Sequence, residues 1–236
     1  MKILVINPVT TAEWLAEDRE YLQGIADTGT EVVMVGLEKG PKSIETYHDE
    51  VYAGPGVIRL VRELSDGVDA VMINCFADPA VDAAREVTEK PVLGPAETSM
   101  SVALHLGSAF SVISTFPNTE PWIKRQVRKL GVESRLASAV GVEIPVLDLE
   151  KNPAKTVDAI VSAANRAIEH DGAEVIILGC TGMAPLAQAV RERLSVPLIE
   201  PAAVTLKMAE LLVKLGLRHH RGRSYLIPSF DKIEGY

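Results

Sequence analysis

The sequence predicts an α/β protein with parallel β-sheets, built from two similar halves. Short apolar runs alternate with helical patterns along the chain of 236 residues, as expected for parallel strands that are connected by helices. Hydrophobic residues make up 47% of the chain and aromatic residues only 5%. The core is therefore expected to be aliphatic, as in sheets that are covered by helices. Several landmarks of the first half also recur in the second.

The first half is predicted to contain four strands and four helices. The strands are residues 2–6, 31–35, 71–74 and 91–94. The helices are a segment N-capped by Thr11 that runs to about residue 26, then 56–64, 79–87 and 96–106. Residues 36–54 read as a loop, because Gly40-Pro41 interrupts them, and this loop is a candidate for part of a lid.

The second half repeats this order of elements. Its predicted strands are residues 110–114, 134–142, 175–178 and 197–199. Its predicted helices are residues 120–130, 153–171, 183–194 and 202–215. Asn152 and Pro153 favour the start of the second of these helices, because Asn is a good cap and Pro suits the first helical position.

An internal repeat supports the division into two halves. The only two tryptophans, Trp14 and Trp122, lie 108 positions apart, and the only two cysteines, Cys75 and Cys180, lie 105 apart. Residues 90–96 recur as residues 196–202. We therefore predict two pseudo-symmetric, flavodoxin-like domains. Residues 1–96 with about 203–236 form the first, and residues 97–202 form the second.

The two cysteines are the candidate catalytic residues. Cys75 and Cys180 each stand where a buried strand passes to a helix, and ligands of open parallel sheets bind beyond such strand ends. A pseudo-dyad would place the thiols on opposite sides of a cleft between the domains, with Asn7 and Thr115 as a second matched pair. Racemising a carbon acid needs two such groups: a thiolate, favoured by the following helix, removes a proton, and a thiol returns one.

Donors around the cysteines are candidates for binding the substrate. Backbone N–H groups near Phe76, Thr181 and Gly182, with the side chains of Asn7 and Thr115, could stabilise the oxyanion of the carbanion. Simpler structural roles are the alternative interpretation for these residues. A buried cysteine often only packs, and the Asn and Thr residues could serve turns and caps. A disulfide is disfavoured in a reducing compartment. No metal is expected, since none of the five histidines lies in either cysteine motif.

Composition and motifs narrow the function classes. The net charge of −8, from 24 basic and 32 acidic residues, disfavours nucleic acid and anionic membranes as partners. No apolar run approaches the length of a membrane span, so a cytoplasmic protein with a small-molecule substrate is expected. The glycines around Cys180 form no phosphate loop, and no dinucleotide fingerprint is present.

The chain resembles the aspartate/glutamate/hydantoin racemase superfamily, and most of all its hydantoin and allantoin racemase branch. The resemblance extends over roughly residues 2–217. It depends on four motifs: Ile6-Asn7-Pro8, Asn74-Cys75-Phe76-Ala77-Asp78-Pro79, Gly94-Pro95-Ala96-Glu97 and Leu178-Gly179-Cys180-Thr181-Gly182-Met183. It implies paired α/β domains, no cofactor, catalysis by Cys75 and Cys180, substrate contacts at Asn7, Thr115 and the backbone after each cysteine, and a homo-oligomer.

Departures from the family patterns bear on the substrate. Val9 stands where the branch usually has Asn, and Gly182 stands where glutamate racemases have His. No Lys or Arg lies in the cysteine motifs or the first loop, which favours a neutral 5-substituted hydantoin or allantoin over a dicarboxylate. The alternatives are an aspartate/glutamate racemase, a maleate-type cis–trans isomerase in which a cysteine adds covalently, and a small-molecule binding protein without catalysis.

Overall fold

The computed structural model of the chain describes residues 1–116 and 118–232. Pro117, in the predicted loop of the second half, and the last four residues of the predicted first domain lie outside this part. Two four-stranded parallel sheets account for all eight strands in the described part, and helices follow the strands. The predicted α/β class with parallel sheets in two similar halves is confirmed. Within the described residues, no helix is long and apolar enough to cross a membrane.

The first sheet has the strand order β2-β1-β3-β4. Its strands are β1 (Lys2–Asn7), β2 (Glu31–Gly36), β3 (Ala70–Ile73) and β4 (Val92–Leu93). β1, β3 and β4 are almost fully buried, mainly aliphatic runs, as parallel strands covered on both faces should be, whereas the edge strand β2 is mostly half-buried. The helices of this half are α1 (Glu13–Ile25), α2 (Tyr47–Leu64), α3 (Val81–Val87) and α4 (Pro95–Ala103).

The second sheet has the equivalent order β6-β5-β7-β8. Its strands are β5 (Phe110–Ser114), β6 (Leu136–Gly141), β7 (Val175–Leu178) and β8 (Leu198–Ile199). The helices are α5 (Thr119–Leu130), α6 (Pro153–Asp171), α7 (Ala187–Arg191) and α8 (Pro201–Lys214). Both orders begin the 2-1-3-4-5 arrangement of flavodoxin-like sheets.

The chain forms two compact units. One unit is Met1–Pro95 together with the segment from Thr205 onward, and the other is Ala96–Val204. Most of α8 therefore groups with the first sheet. Glu210 on α8 accepts a hydrogen bond of 2.7 Å from the backbone N–H of Asp27, just after α1, and Lys207 forms an ion pair of 2.6 Å with the carboxylate of Asp27.

Three helix starts differ from the sequence predictions. Thr11 does not cap α1, because its hydroxyl donates to the carbonyl of Lys42 instead. The predicted loop 36–54 contains the first two turns of α2, which starts in a capping box between Thr46 and Asp49. The predicted helix 183–194 is a 3-10 segment, Thr181–Leu186, followed by the five-residue α7. Pro185 and Gly182 explain the last difference, because both are poor α-helix formers.

Candidate active site

Each catalytic cysteine predicted from the sequence lies just beyond the carboxyl end of the third strand of its own sheet. Cys75 follows β3 with Asn74 between them, and Cys180 follows β7 with Gly179 between them. Neither cysteine forms a disulfide, and both are half-buried. The two backbones are also held alike: Asn74 N–H donates to Ile6 O at 2.8 Å, and Gly179 N–H donates to Ile113 O at 2.7 Å. The two halves thus present their thiols at equivalent strand ends.

A buried network of amides surrounds the residue before Cys75. The side chain of Asn74 donates to Oδ1 of Asn7 at 2.8 Å, and Nδ2 of Asn7 donates to Oδ2 of Asp18 at 2.8 Å. The same Asp18 oxygen lies 3.4 Å from Nδ2 of Asn74. Asp18 and Asn74 were not among the candidate residues. Asp18 lies on the first helix and carries no strand-end signal, so periodicity could not single it out.

A tight turn, and not a helix, follows Cys75 directly. The N–H of Cys75 donates to Ile73 O at 2.8 Å, and the N–H of Asp78 donates to Cys75 O at 3.0 Å. Asp78 and Ala80 then adopt positive φ angles of 52° and 58°. The first residue of α3 comes only after this turn, and α3 has seven residues. The predicted helix from residue 79, which was expected to favour the Cys75 thiolate, is therefore wrong at its start. Phe76 is buried within the turn.

The turn after Cys75 approaches the end of β4 closely. A Cβ atom on Gly94 would overlap with the carboxyl group of Asp78, so any larger residue there would force that carboxyl group to move. Glu200 takes the place of Gly94 in the repeat, and its buried carboxylate accepts hydrogen bonds from Ala202 N (2.8 Å) and Ala203 N (2.7 Å). A carboxylate thus packs at the end of the fourth strand in both halves, where the next helix begins.

The second half holds the residue before Cys180 by a hydroxyl group. Ser114 Oγ donates to Gly179 O at 2.9 Å. The strand registers pair Asn7 with Gly36 and Ser114 with Gly141. Ser114 is therefore the structural counterpart of Asn7, and the predicted matching of Asn7 with Thr115 is displaced by one residue. Thr115 is buried next to this position, and its carbonyl accepts a hydrogen bond of 3.2 Å from Ile144 N–H.

The surroundings of Cys180 are largely aliphatic. Cys180 precedes the 3-10 segment, and its carbonyl accepts from Met183 N–H at 3.1 Å, so the turn encloses Thr181 and Gly182. A Cβ atom on Gly182 would lie 3.5 Å from the sulfur of Cys180, 3.4 Å from Leu149 Cδ1 and 3.9 Å from Val146 Cγ1. Gly182 thus leaves a gap of about one methyl group beside the thiol.

The charged groups of the described residues offer no metal site. In the described residues, no group of three or more His, Cys, Asp or Glu side chains could hold a metal ion. Burial, together with the charges of Arg85 and Arg221, lowers the pKa of His219, which lies against β4 and away from both cysteine motifs in sequence. This histidine interacts with the backbone of Lys90 and Val92, at the β4 edge of the first sheet.

Comparisons with known proteins agree with the resemblance. A model of the family described as Asp/Glu/Hydantoin racemase matches residues 3–209. A hydantoin racemase of Pseudomonas sp. (strain NS671) is 38% identical over 236 residues, which cover all of this chain and 95% of that protein. The structure of an allantoin racemase from Klebsiella pneumoniae has a TM-score of 0.94 at 34% identity, and the match covers 100% of this chain and 96% of that one.

A second solved structure gives the same result. The allantoin racemase of Pseudomonas fluorescens has a TM-score of 0.95 at 34% identity, with both chains fully covered. The sequence-based expectations of the fold and of an enzyme of the isomerase class are thereby confirmed. The chain belongs to the Asp/Glu/hydantoin racemase family.

Proposed function

We propose that this racemase inverts the C5 centre of 5-substituted hydantoins or allantoin, without a cofactor, and that Cys75 and Cys180 exchange the proton. One observation carries the proposal: two half-buried cysteines, neither of them in a disulfide, follow the equivalent strands β3 and β7 in two sheets of equivalent strand order. The relatives named hydantoin racemase and allantoin racemase support the substrate class.

The proposed reaction needs one thiolate and one thiol on opposite faces of the substrate. For one enantiomer the first cysteine removes the C5 proton as a thiolate, and the second donates its proton to the other face of the carbanion. The roles exchange for the opposite enantiomer. During the reaction the negative charge moves from C5 to the neighbouring carbonyl oxygen of the ring, which hydrogen-bond donors can stabilise.

The donors assigned to this oxyanion are those expected from the sequence. We assign the backbone N–H groups around Phe76, Thr181 and Gly182, and the side chains of Asn7 and Thr115. The network around Asn7 limits its part, because one Nδ2 hydrogen is donated to Asp18 and Oδ1 accepts from Asn74. We therefore assign the second Nδ2 hydrogen of Asn7 to a hydrogen bond with the substrate.

A hydantoin fits the chemistry of this site better than a free amino acid. In a hydantoin the ring carbonyl delocalises the carbanion, so the thiols need less help from neighbouring side chains. Gly182 supplies no imidazole beside Cys180, and the three atoms nearest to a Cβ placed there belong to Leu149, Cys180 and Val146. An amino acid substrate, whose α-proton is less acidic, would be poorly served there. A cytoplasmic homo-oligomer remains a prediction.

The test is racemisation of pure L- and D-hydantoins, allantoin, aspartate and glutamate in D₂O, followed by polarimetry and NMR. We expect inversion of hydantoins, with deuterium at C5 of the product and little in recovered substrate, because each face has its own proton carrier. A reaction without protein corrects for spontaneous exchange. If the wild-type protein inverts no hydantoin and no allantoin, the proposed function is wrong.

Two substitutions test the role of the thiols. Cys75→Ser and Cys180→Ser should each abolish racemisation, since either change leaves one face without a competent acid or base, while circular dichroism and the unfolding midpoint stay close to wild type. Substantial inversion by either single variant would refute the two-thiol mechanism. Slow alkylation of both thiols, at or below the rate of a free cysteine, would favour a binding protein without catalysis.

A further inference from the structure

Two aliphatic side chains, Val146 and Leu149, form a wall beside Cys180 and bear on which substituent the enzyme accepts at C5. The atoms nearest to a Cβ placed on Gly182 are Leu149 Cδ1, the sulfur of Cys180 and Val146 Cγ1, so these three side chains border the gap. Leu149 is fully buried, whereas Val146 and Ile144 are half-buried and pack against the same hydrophobic cluster as Cys180. An aliphatic surface that is still partly accessible therefore lies next to the thiol.

The segment that carries this wall is held at both ends. At its start, Val142 N–H donates to Ser114 O at 2.8 Å and Ile144 N–H donates to Thr115 O at 3.2 Å, which ties it to the end of β5. At its far end, the hydroxyl of Thr156 on α6 donates to Leu149 O at 2.8 Å. Val146 is thus fixed before a substrate arrives, and a preformed wall discriminates between ligands at low entropic cost.

We propose that Val146 contacts the C5 substituent and makes this enzyme prefer hydantoins with an aliphatic or aromatic substituent over allantoin. The inference rests on the proposed racemisation of hydantoins. A carbon that exchanges its proton with Cys180 must come within about 3–3.5 Å of the sulfur. Its first substituent atoms then fall within reach of the side chains that border Gly182.

The chemistry of the substituent decides the preference. In allantoin C5 carries a ureido group, whose N–H and C=O groups lose hydrogen bonds to water when they are buried against aliphatic carbon. An isobutyl or benzyl group loses none and gains from burial. We expect kcat/KM for 5-isobutylhydantoin or 5-benzylhydantoin to exceed that for allantoin by on the order of 10- to 100-fold.

The test compares Val146→Asn with Val196→Asn. Val196 is also a half-buried aliphatic residue packed on the same cluster, but it precedes β8 at the opposite edge of the sheet. Val146→Asn should lower kcat/KM for 5-isobutylhydantoin by about tenfold and shift the ratio of the two substrates toward allantoin by at least that factor. Val196→Asn should leave the ratio unchanged. If the asparagine variant at 146 does not fold, Val146→Ala should still weaken selection for the larger alkyl group.

The outcomes separate this inference from the proposed function. A wild-type enzyme that inverts hydantoins but favours allantoin, or a Val146 variant that slows both substrates equally, overturns the inference alone. The second result would place Val146 against the ring and not against the substituent. A wild-type enzyme that inverts neither substrate overturns the proposed function and the inference together.

Discussion

The side-chain amide of Asn74 donates a hydrogen bond of 2.8 Å to Oδ1 of Asn7, and this bond joins the end of β1 to the residue that precedes Cys75. Asp18 on α1 accepts from the other end of the Asn7 amide at 2.8 Å. Because a carboxylate can accept only, it fixes the orientation of the Asn7 amide, which in turn fixes that of Asn74. These two hydrogen bonds therefore fix the position of Asn74 at the end of β3, and with it the position of Cys75, the next residue.

The first prediction concerns Asp18 as a positioning residue. Asp18→Ala removes the acceptor and leaves amide N–H groups of the network to reorient, so we expect kcat to fall by about tenfold. We also expect a changed alkylation rate at Cys75 and an unchanged rate at Cys180, measured by mass spectrometry of labelled peptides. Glu17→Ala, an exposed neighbour on the same helix, is the control. Equal labelling of Cys75 in Asp18→Ala and wild type would show that Asp18 has no such role.

The second prediction concerns the glycine before Cys180. A Cβ atom on Gly179 would lie 2.5 Å from Cβ of Ser114 and 2.8 Å from Cγ1 of Val112, so these strands would have to separate. Gly179→Ala should therefore lower the free energy of unfolding by about 1–3 kcal/mol, measured by denaturant titration. Gly24→Ala is the matched control, because nothing lies within 4 Å of that position on α1, and there alanine should stabilise the helix by about 0.5–1 kcal/mol. Equal stability of Gly179→Ala and wild type would contradict the close packing.

Most of the strands could be predicted because buried parallel strands are continuous aliphatic runs. Residues 110–114 and 175–178 were predicted with the bounds that the structure shows for β5 and β7. Helix α6 was predicted equally well, since Asn152 accepts from Lys155 N–H as a cap and Pro153 occupies the first position. These signals are local, so no tertiary information is needed to read them.

Other features depend on tertiary contacts and could not be read locally. Gly54, Pro55 and Gly56 disrupt the helical pattern of α2, yet the helix continues through them, and Leu37 packs against Gly56, where a Cβ atom would meet Leu37 Cδ2 at 3.0 Å. The pairing of Asn7 with Ser114 likewise follows from strand register. The repeat of Trp14 and Trp122 includes loops, whose lengths need not match, and so it displaced the alignment by one residue.

The third prediction separates Thr115 from its neighbour. Ser114→Ala removes the hydrogen bond to the carbonyl of Gly179, so it should lower the free energy of unfolding by about 0.5–1.5 kcal/mol. Thr115→Ala removes a hydroxyl that the proposed site gives to the substrate, so it should raise KM or lower kcat modestly without unfolding the protein. Steady-state kinetics and denaturant titration of both variants provide the comparison. An unchanged kcat/KM in Thr115→Ala would remove Thr115 from the site.

The fourth prediction concerns the pH dependence of stability. Nε2 of His219 lies 3.2 Å from the backbone N–H of Val92, which it can accept only when that nitrogen is unprotonated. The carbonyl of Lys90 lies 2.7 Å from the same nitrogen and favours the protonated form. Burial is the larger influence, and with the positive charges of Arg85 and Arg221 it lowers the pKa of His219 below its ordinary value of 6.5.

The sign of the effect follows from this lowered pKa. The unfolded chain binds the proton more tightly than the folded protein does, so protonation favours unfolding. The contribution of His219 is complete above about pH 6.5 and is lost as the pH falls below that value toward the folded pKa. The melting temperature of the wild type should therefore fall more than that of His219→Gln between about pH 7.5 and about pH 5.5. His220→Gln changes an exposed neighbour and should keep the wild-type dependence of melting temperature on pH. If wild type and His219→Gln show the same dependence, the contact of His219 with β4 does not contribute to stability.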